Sequence, residues 1–238
     1  MDLPMALSSV KAPGLPSFIA AMALIVLVSN ILVQFPVQGL VGGVALADLL
    51  TWGAFTYPFA FLVTDLANRA HGPAFARRVV YAGFAIAIAS SVALPPLLKA
   101  SGLVEFAPAL ERLPRIALAS GIAFLAGQLL DVTVFNALRR TTWWRAPMAA
   151  SIAGSLADTA LFFSMAFAAT FALLGPGDEF ASSLAPFFGV ASFETQRWVS
   201  WAAGDLAVKL IIAAVALMPY RLLMDRLGIW DGRPAVTR

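Results

Sequence analysis

Residues 146–177 read APMAASIAGSLADTALFFSMAFAATFALLGPG, and Asp158 is the only ionisable side chain in the run. About 20 mostly apolar residues in a helix cross a bilayer, so this run spans a membrane with an aspartate far from either surface. A charge near the midplane costs about 3 kcal/mol on insertion scales, and it is usually kept for a partner and a task. The commonest task is handling a polar solute. Two other apolar runs share this signature: 116–138 contains Asp131, and 198–220 contains Asp205 and Lys209.

The composition agrees. The chain is 61% hydrophobic and 12% charged over 238 residues, against about a quarter charged in soluble domains. No cysteine is present, which removes disulfides, thiolate metal sites and cysteine nucleophiles. The single histidine, His71, falls in a loop among arginines, so a histidine metal site or a Ser-His enzyme within the membrane is not expected. The net charge of +3 is spread over loops, which suits membrane topology and not nucleic-acid binding.

Six spans follow, at about 17–34, 49–68, 79–98, 116–138, 147–174 and 198–220, in an all-α, polytopic bundle forming one integral membrane domain over 1–238. Lys11 precedes the first, as in a secretory signal, but the apolar core runs past Asn30 without a small-residue cleavage site, so a retained helix is expected. Gly53 and Pro58 interrupt the second span, and Pro95-Pro96 should end the third. Positive residues set the orientation. With a cytoplasmic amino terminus, Lys11, Arg69, Arg77, Arg78, Arg139, Arg140, Arg145, Arg221, Arg226, Arg233 and Arg238 lie inside. Lys99, Arg112, Arg115 and Arg197 lie outside, eleven against four. Both termini are then cytoplasmic.

Helical spacing groups the polar residues. Gln128 and Asp131 share a face one turn beyond Phe124. They offer a donor and acceptors to a planar polar ligand, or bond a neighbouring helix and reach for the surface. Ser151, Ser155, Asp158 and Phe162 form one stripe beside Gly154, where small residues admit another helix. Asp158 is then either a ligand contact or a hydrogen-bonded packing residue. Asp205 and Lys209 are four apart in the favourable order for an ion pair, either structural or exchanging partners with substrate. Phe55 and Tyr57 flank the Pro58 break, where an aromatic ring either stacks on a planar ligand or anchors at the interface. Asp65 and Arg69, with Arg77 and Arg78, read as a cytoplasmic cap, and Trp143-Trp144 as an interface anchor. A weak repeat links Asp65, Asn68 and Arg69 to Asp131, Asn136 and Arg139, attributable to the common ending of helices at a positive face.

The stretches TWGAFTYPFAFLVTDLANRAHGPAFARR (51–78), GQLLDVTVFNALRR (127–140), WWRAPMAASIAGSLADTALFF (143–163) and DLAVK (205–209) resemble the queuosine precursor transporter family, also called the vitamin uptake transporter family. They occur in the family's order from the second span to the sixth. The resemblance implies a six-helix bundle like the substrate-binding subunits of energy-coupling-factor transporters, working without the partner ATPase. It implies inner-membrane uptake of 7-cyano-7-deazaguanine (preQ0), and of the aminomethyl form preQ1, for tRNA queuosine synthesis, with no cofactor and no enzymatic activity. A deazaguanine edge has two adjacent N–H donors and a carbonyl. Asp131 or Asp158 would accept the donors, Gln128 or Lys209 would meet the carbonyl, and Phe55 or Tyr57 would stack on the ring. Asp158 and Asp205 are the candidate proton carriers. Oligomeric state stays open, a homo-oligomer included.

Three rival readings compete. A vitamin-binding subunit of an ATPase-energised complex would have the same helices. An intramembrane aspartyl protease would pair two aspartates, but no YD and GxGD segments are present: Asp205 follows Ala202-Ala203-Gly204. A purely structural protein would leave the buried charges without a purpose.

Overall fold

A computed structural model describes residues 12–105 and 108–229; Lys11, Arg233 and Arg238 of the charge count lie outside the described residues. In chain order the helices are Leu15–Leu32 (α1), Gly53–Thr56 (α2), Phe59–His71 (α3), Pro73–Ala100 (α4), Leu113–Leu138 (α5), Arg145–Phe167 (α6), Glu179–Ser182 (α7), Arg197–Val215 (α8) and Leu217–Arg226 (α9). Helices α1, α4, α5, α6 and the α8–α9 pair are long and apolar enough to cross a membrane. Pro16, Pro73 and Pro114 sit in the first turns of α1, α4 and α5, where a missing N–H costs nothing.

Proline accounts for most departures from the expected spans. The second is not one helix over 49–68. A 3-10 turn at Leu46–Asp48 precedes α2, and Pro58 then divides α2 from α3. The N–H groups of Ala60 and Phe61 turn to the carbonyls of Tyr57 and Pro58, three residues back instead of four. The third helix does not stop at Pro95-Pro96 but runs on to Ala100. A proline φ is itself helical, and both rings fall in the closing turns, where few backbone bonds remain to be lost. The fifth span ends at Phe167 because Ala168 is extended, and residues 169–174 form a 3-10 turn. The sixth divides at Ala216, three residues before Pro219, which lacks the N–H that would bond the Val215 carbonyl, and continues as α9 to Arg226.

Two hairpins cover one end of the bundle. Leu40–Val41 (β1) pairs antiparallel with Val44–Ala45 (β2) around Gly42 and Gly43, whose φ values of +58° and +82° suit a two-residue turn of mirror-image hand. Leu184–Pro186 (β3) pairs with Glu194–Gln196 (β4), with Ala185 opposite Thr195. Before it stands α7, capped by the Asp178 carboxylate accepting from Ala181 N at 3.1 Å. Arg112 pairs with the same Asp178 at 2.7 Å, tying the 175–197 segment to the start of α5. The opposite end carries the α3–α4 turn at Gly72 and the α5–α6 loop with Arg139, Arg140 and Arg145.

Between these ends the core joins Met22 and Val26 of α1, Val79 and Val80 of α4, and Phe124 and Phe135 of α5, all at most 1% exposed. Leu24, Ile211, Val215 and Leu222 are at least 60% exposed on the outside of the spanning helices, an apolar surface that only lipid covers without penalty. The closest approach is between α5 and α6. A Cβ on Gly154 would stand 2.9 Å from Gly127 O, and one on Gly127 would stand 2.9 Å from Gly154 O. That reciprocal contact needs glycine on both helices, and it brings Asp158 against the α5 backbone.

Candidate functional site

A cavity of about 510 Å³ opens between α1, α5, α6 and α8 toward the hairpin end. Ligand pockets for small molecules run from about 300 to 1,000 Å³. The floor is a polar cluster built from three elements. Lys209 Nζ lies 2.6 Å from Asp158 Oδ2, 2.6 Å from Asp205 Oδ2 and 3.1 Å from Thr159 Oγ1. An ammonium has three donors, and here each meets an oxygen. Thr159 donates in turn to Asp205 Oδ2 at 2.8 Å, and Tyr57 OH donates to Asp158 Oδ1 at 2.9 Å. Lys209 Nζ also stands 5.1 Å from the centre of the Tyr57 ring, within cation–π range.

Each member is held in place by the local chain. Gly127 and Gly154 let α6 press against α5, so Asp158 projects inward at 4% exposure. One helical turn separates Asp205 from Lys209 on α8, which directs both to the same spot. The Pro58 break turns Tyr57 into the bundle, edge-on to Phe61 and Phe124 at ring separations of 6.2 Å. Two carboxylates face one ammonium, so the cluster carries an excess negative charge. Asp205 is the more open of the two acids, its side chain 15% exposed against 6% for Asp158. Its Oδ1 accepts from no described residue.

The walls divide into an aromatic and a polar side. Phe162, Phe167, Phe180 and Trp201 form the aromatic side, with Trp201 edge-on to Phe167 at 5.6 Å. Arg197 caps this side, its guanidinium 4.6 Å from the Phe180 ring centre and its Nε bonded to Ser183 Oγ at 3.0 Å. Asn30, Ser91 and Ser120 supply the polar side; Asn30 Nδ2 donates to Ser90 Oγ at 2.8 Å. The sequence pattern singles out only Phe162 among these aromatics, on the Asp158 stripe, because Phe and Trp on an apolar helix look alike whether they face lipid or a cavity.

The expected site residues are therefore split. Tyr57, Asp158, Asp205 and Lys209 come together on the cavity floor. Phe55 does not line it and packs 5.6 Å from Trp52. Gln128 and Asp131, both 0% exposed, face neither lipid nor the cavity. Gln128 Oε1 accepts from Thr64 at 2.6 Å, and Asp131 meets Asp65 of α3. Asp131 thus does not reach for the surface. Asp65 and Arg69 are no exposed cap either, at 1% and 7% exposure, because α3 lies inside the bundle with its charged face toward α5. Of the two tryptophans, Trp144 is exposed, whereas Trp143 packs on the core beneath Arg221 at 5.4 Å.

Helices that cross the bilayer several times around an ion-paired internal cavity define a multi-pass membrane protein with a polar-floored cavity. Residues 51–224 match a protein-family profile described as "Putative vitamin uptake transporter". The chain is 34% identical over 209 residues to the queuosine precursor transporter of Escherichia coli K12, covering 86% of this chain and 83% of that one. It is 34% identical over 177 residues to a Haemophilus influenzae protein described as "Probable queuosine precursor transporter", covering 71% and 66% of the two chains. A Bacillus subtilis protein of the same description is 33% identical over 134 residues, covering 49% and 56%. No solved structure matches. The chain belongs to the vitamin uptake transporter family, alongside these queuosine precursor transporters.

Proposed function

We propose that this protein imports preQ0, and with it preQ1, across the bacterial inner membrane to supply tRNA queuosine synthesis. The relatives' names support the substrate class. The observation that carries the reading is the open carboxylate oxygen of Asp205 beside Lys209 on the cavity floor. A deazaguanine edge places two N–H donors next to a carbonyl oxygen. Asp205 accepts the donors, Lys209 turns one N–H toward the carbonyl, and Asp158 with Tyr57 holds Lys209 in position. The aromatic wall at Phe162 and Trp201 receives the flat ring. A site built for that edge rejects analogues lacking the donors, since its buried groups would be left unpaired.

The bundle crosses the membrane six times in this reading, the sixth crossing being the broken α2–α3 helix. Its 19 residues from Gly53 to His71 rise about 28 Å at the helical pitch. The arginine-rich end is cytoplasmic and the cavity opens outward. Direct calorimetry of purified protein with preQ0, preQ1 and adenine tests the ligand. Both deazaguanines should bind and adenine should not. Asp205→Asn should weaken preQ0 by about ten- to a hundredfold, the scale of one charge-assisted bond lost. Equal binding of adenine, or no binding of preQ0, would sink the assignment.

A further inference from the structure

Below the cavity floor lies a second polar layer that the proposed ligand does not touch. Thr64 and Asn68 of α3 bond Gln128 and the Val132 carbonyl of α5 at 2.6 and 3.1 Å, and between these contacts Asp65 and Asp131 lie on the facing sides of the two helices, at 1% and 0% exposure. Asp65 Oδ1 and both oxygens of Asp131 accept from no donor among the described residues. Gln128 Nε2, Asn68 Oδ1 and Ser155 Oγ, also buried, are unpartnered in the same region. Two facing carboxylates in a dry interior cannot both stay ionised; one proton shared between them gives each an acceptor or donor.

The charged and titratable neighbours are few. Arg69 follows Asp65 by one turn on α3, and Tyr220 of α9 is bonded to Arg69 Nε at 3.0 Å. Arg139 closes the end of α5. Lys209 of α8 approaches from above. A crevice of about 20 Å³, lined by Asp65, Ser151, Ser155, Lys209 and Tyr220, connects the two layers. It is large enough for one water, and Asp65, Ser155, Lys209 and Tyr220 are the polar partners a water needs. Lys209 lines both this crevice and the cavity above.

Building on the import reading, we propose that Asp65 and Asp131 are the proton-carrying site of the transport cycle. One proton from the outside, relayed by water through the crevice below Lys209, restores the hydrogen shared by the pair after the wetted, inward-open state has lost it. The same proton leaves at the arginine-rich end when that end opens. Substrate and proton move in the same direction.

Infrared spectroscopy of purified protein, with aspartate labelled in the carboxyl carbon, tests the shared proton without any substrate. Wild type should show a protonated carboxyl at neutral pH, absent from Asp65→Asn and from Asp131→Asn. In vesicles with purified protein, an acidic outside should accelerate preQ0 uptake several-fold in wild type. The same gradient should leave uptake by either variant unchanged, with preQ0 binding retained. Absence of the carboxyl signal from wild type, or wild-type uptake indifferent to the gradient, would overturn the proposal, and neither measurement depends on a variant folding. Failure of wild type to bind preQ0 overturns the ligand reading instead, and the infrared signal still decides for or against the shared proton.

Discussion

Arg69 and Arg139 each donate to the backbone carbonyl of the other, Arg69 Nη1 to Arg139 O and Arg139 Nη2 to Arg69 O, the latter at 3.2 Å. The exchange fastens the carboxyl-terminal turns of α3 and α5, where carbonyls lack helical partners and a cation is favoured. Arg69 does more than this. Its Nε donates to Tyr220 OH, its Nη2 to Trp143 O at 3.3 Å, and its plane covers the Phe135 ring at 4.8 Å. Burial and the charges of Arg69 and Arg140 push the Arg139 guanidinium below the ordinary arginine pKa, but an arginine stays charged.

Because only a planar fork reaches those partners together, Arg69→Lys should cost about 2 to 4 kcal/mol of stability, the range for losing several charge-assisted bonds at a buried site. Thermal unfolding in detergent checks this, with the exposed Arg140→Lys as the comparison. Similar losses in the two variants would show that the fork geometry carries no special weight.

The same contact explains which parts of the molecule could be read in advance. Apolar length placed α1, α4, α5, α6 and α8 well, since bilayer thickness dictates it. Helical spacing put Asp205 beside Lys209 and Gln128 beside Asp131. What spacing cannot supply is the pairing between helices. Asp158 meets Lys209 across 51 residues of chain, and Asp65 meets Asp131 across α4. The repeat of Asp, Asn and Arg in α3 and α5 was visible as a helix-end pattern. In space its acids face each other and its arginines exchange bonds. Arg115 falls among the outer-side residues of the charge count, and the structure buries it at 1% exposure. A single letter in a charge count does not say whether carbonyls wait for it.

Arg115 closes the far end of α6. Its Nε donates to Met165 O at 2.9 Å, Nη2 to Ala168 O at 2.7 Å and Nη1 to Gly175 O at 3.1 Å. Once Ala168 turns extended, the Met165 and Gly175 carbonyls accept from no backbone N–H among the described residues, whereas Ala168 O also takes Phe171 N at 3.1 Å. Replacing Arg115 with Ala should leave the Met165 and Gly175 carbonyls without a donor and cost about 2 to 3 kcal/mol. Hydrogen exchange should show faster opening of the 165–175 segment while α1 and α4 are unaffected. Uniform loss of protection across the bundle would contradict a local clamp.

The α5–α6 contact predicts a coupled loss of stability and binding. In Gly154→Ala the new methyl meets Phe61 Cε1 at 2.6 Å and Gly127 O at 2.9 Å, and the second of these is backbone that cannot swing aside. The helices must separate, at about 1 to 3 kcal/mol, and Asp158 moves with α6 away from Lys209. Ile152→Ala on the outer face of the same helix, 37% exposed, should leave preQ0 binding unchanged. If Gly154→Ala binds as wild type does, the close approach is not what positions the acid.

The last test separates the ion pair from the acids themselves. Lys209 neutralises Asp158 and Asp205 together, so Lys209→Met strands two carboxylates in a buried cluster and should cost about 3 to 5 kcal/mol. Asp158→Asn alone is milder, because Lys209 keeps Asp205 and Thr159 while the amide still accepts from Tyr57. Combining the two removes one of the stranded charges. The double variant should therefore be less destabilised than the sum of the singles by at least about 1 kcal/mol, the signature of directly coupled side chains. Unfolding in detergent measures the three variants, and preQ0 binding by the same samples shows whether Asp158 acts on the ligand through Lys209. Strict additivity would mean that the 2.6 Å contact contributes nothing to holding the cavity floor, and the roles given to Asp158 and Lys209 would then have to be abandoned together.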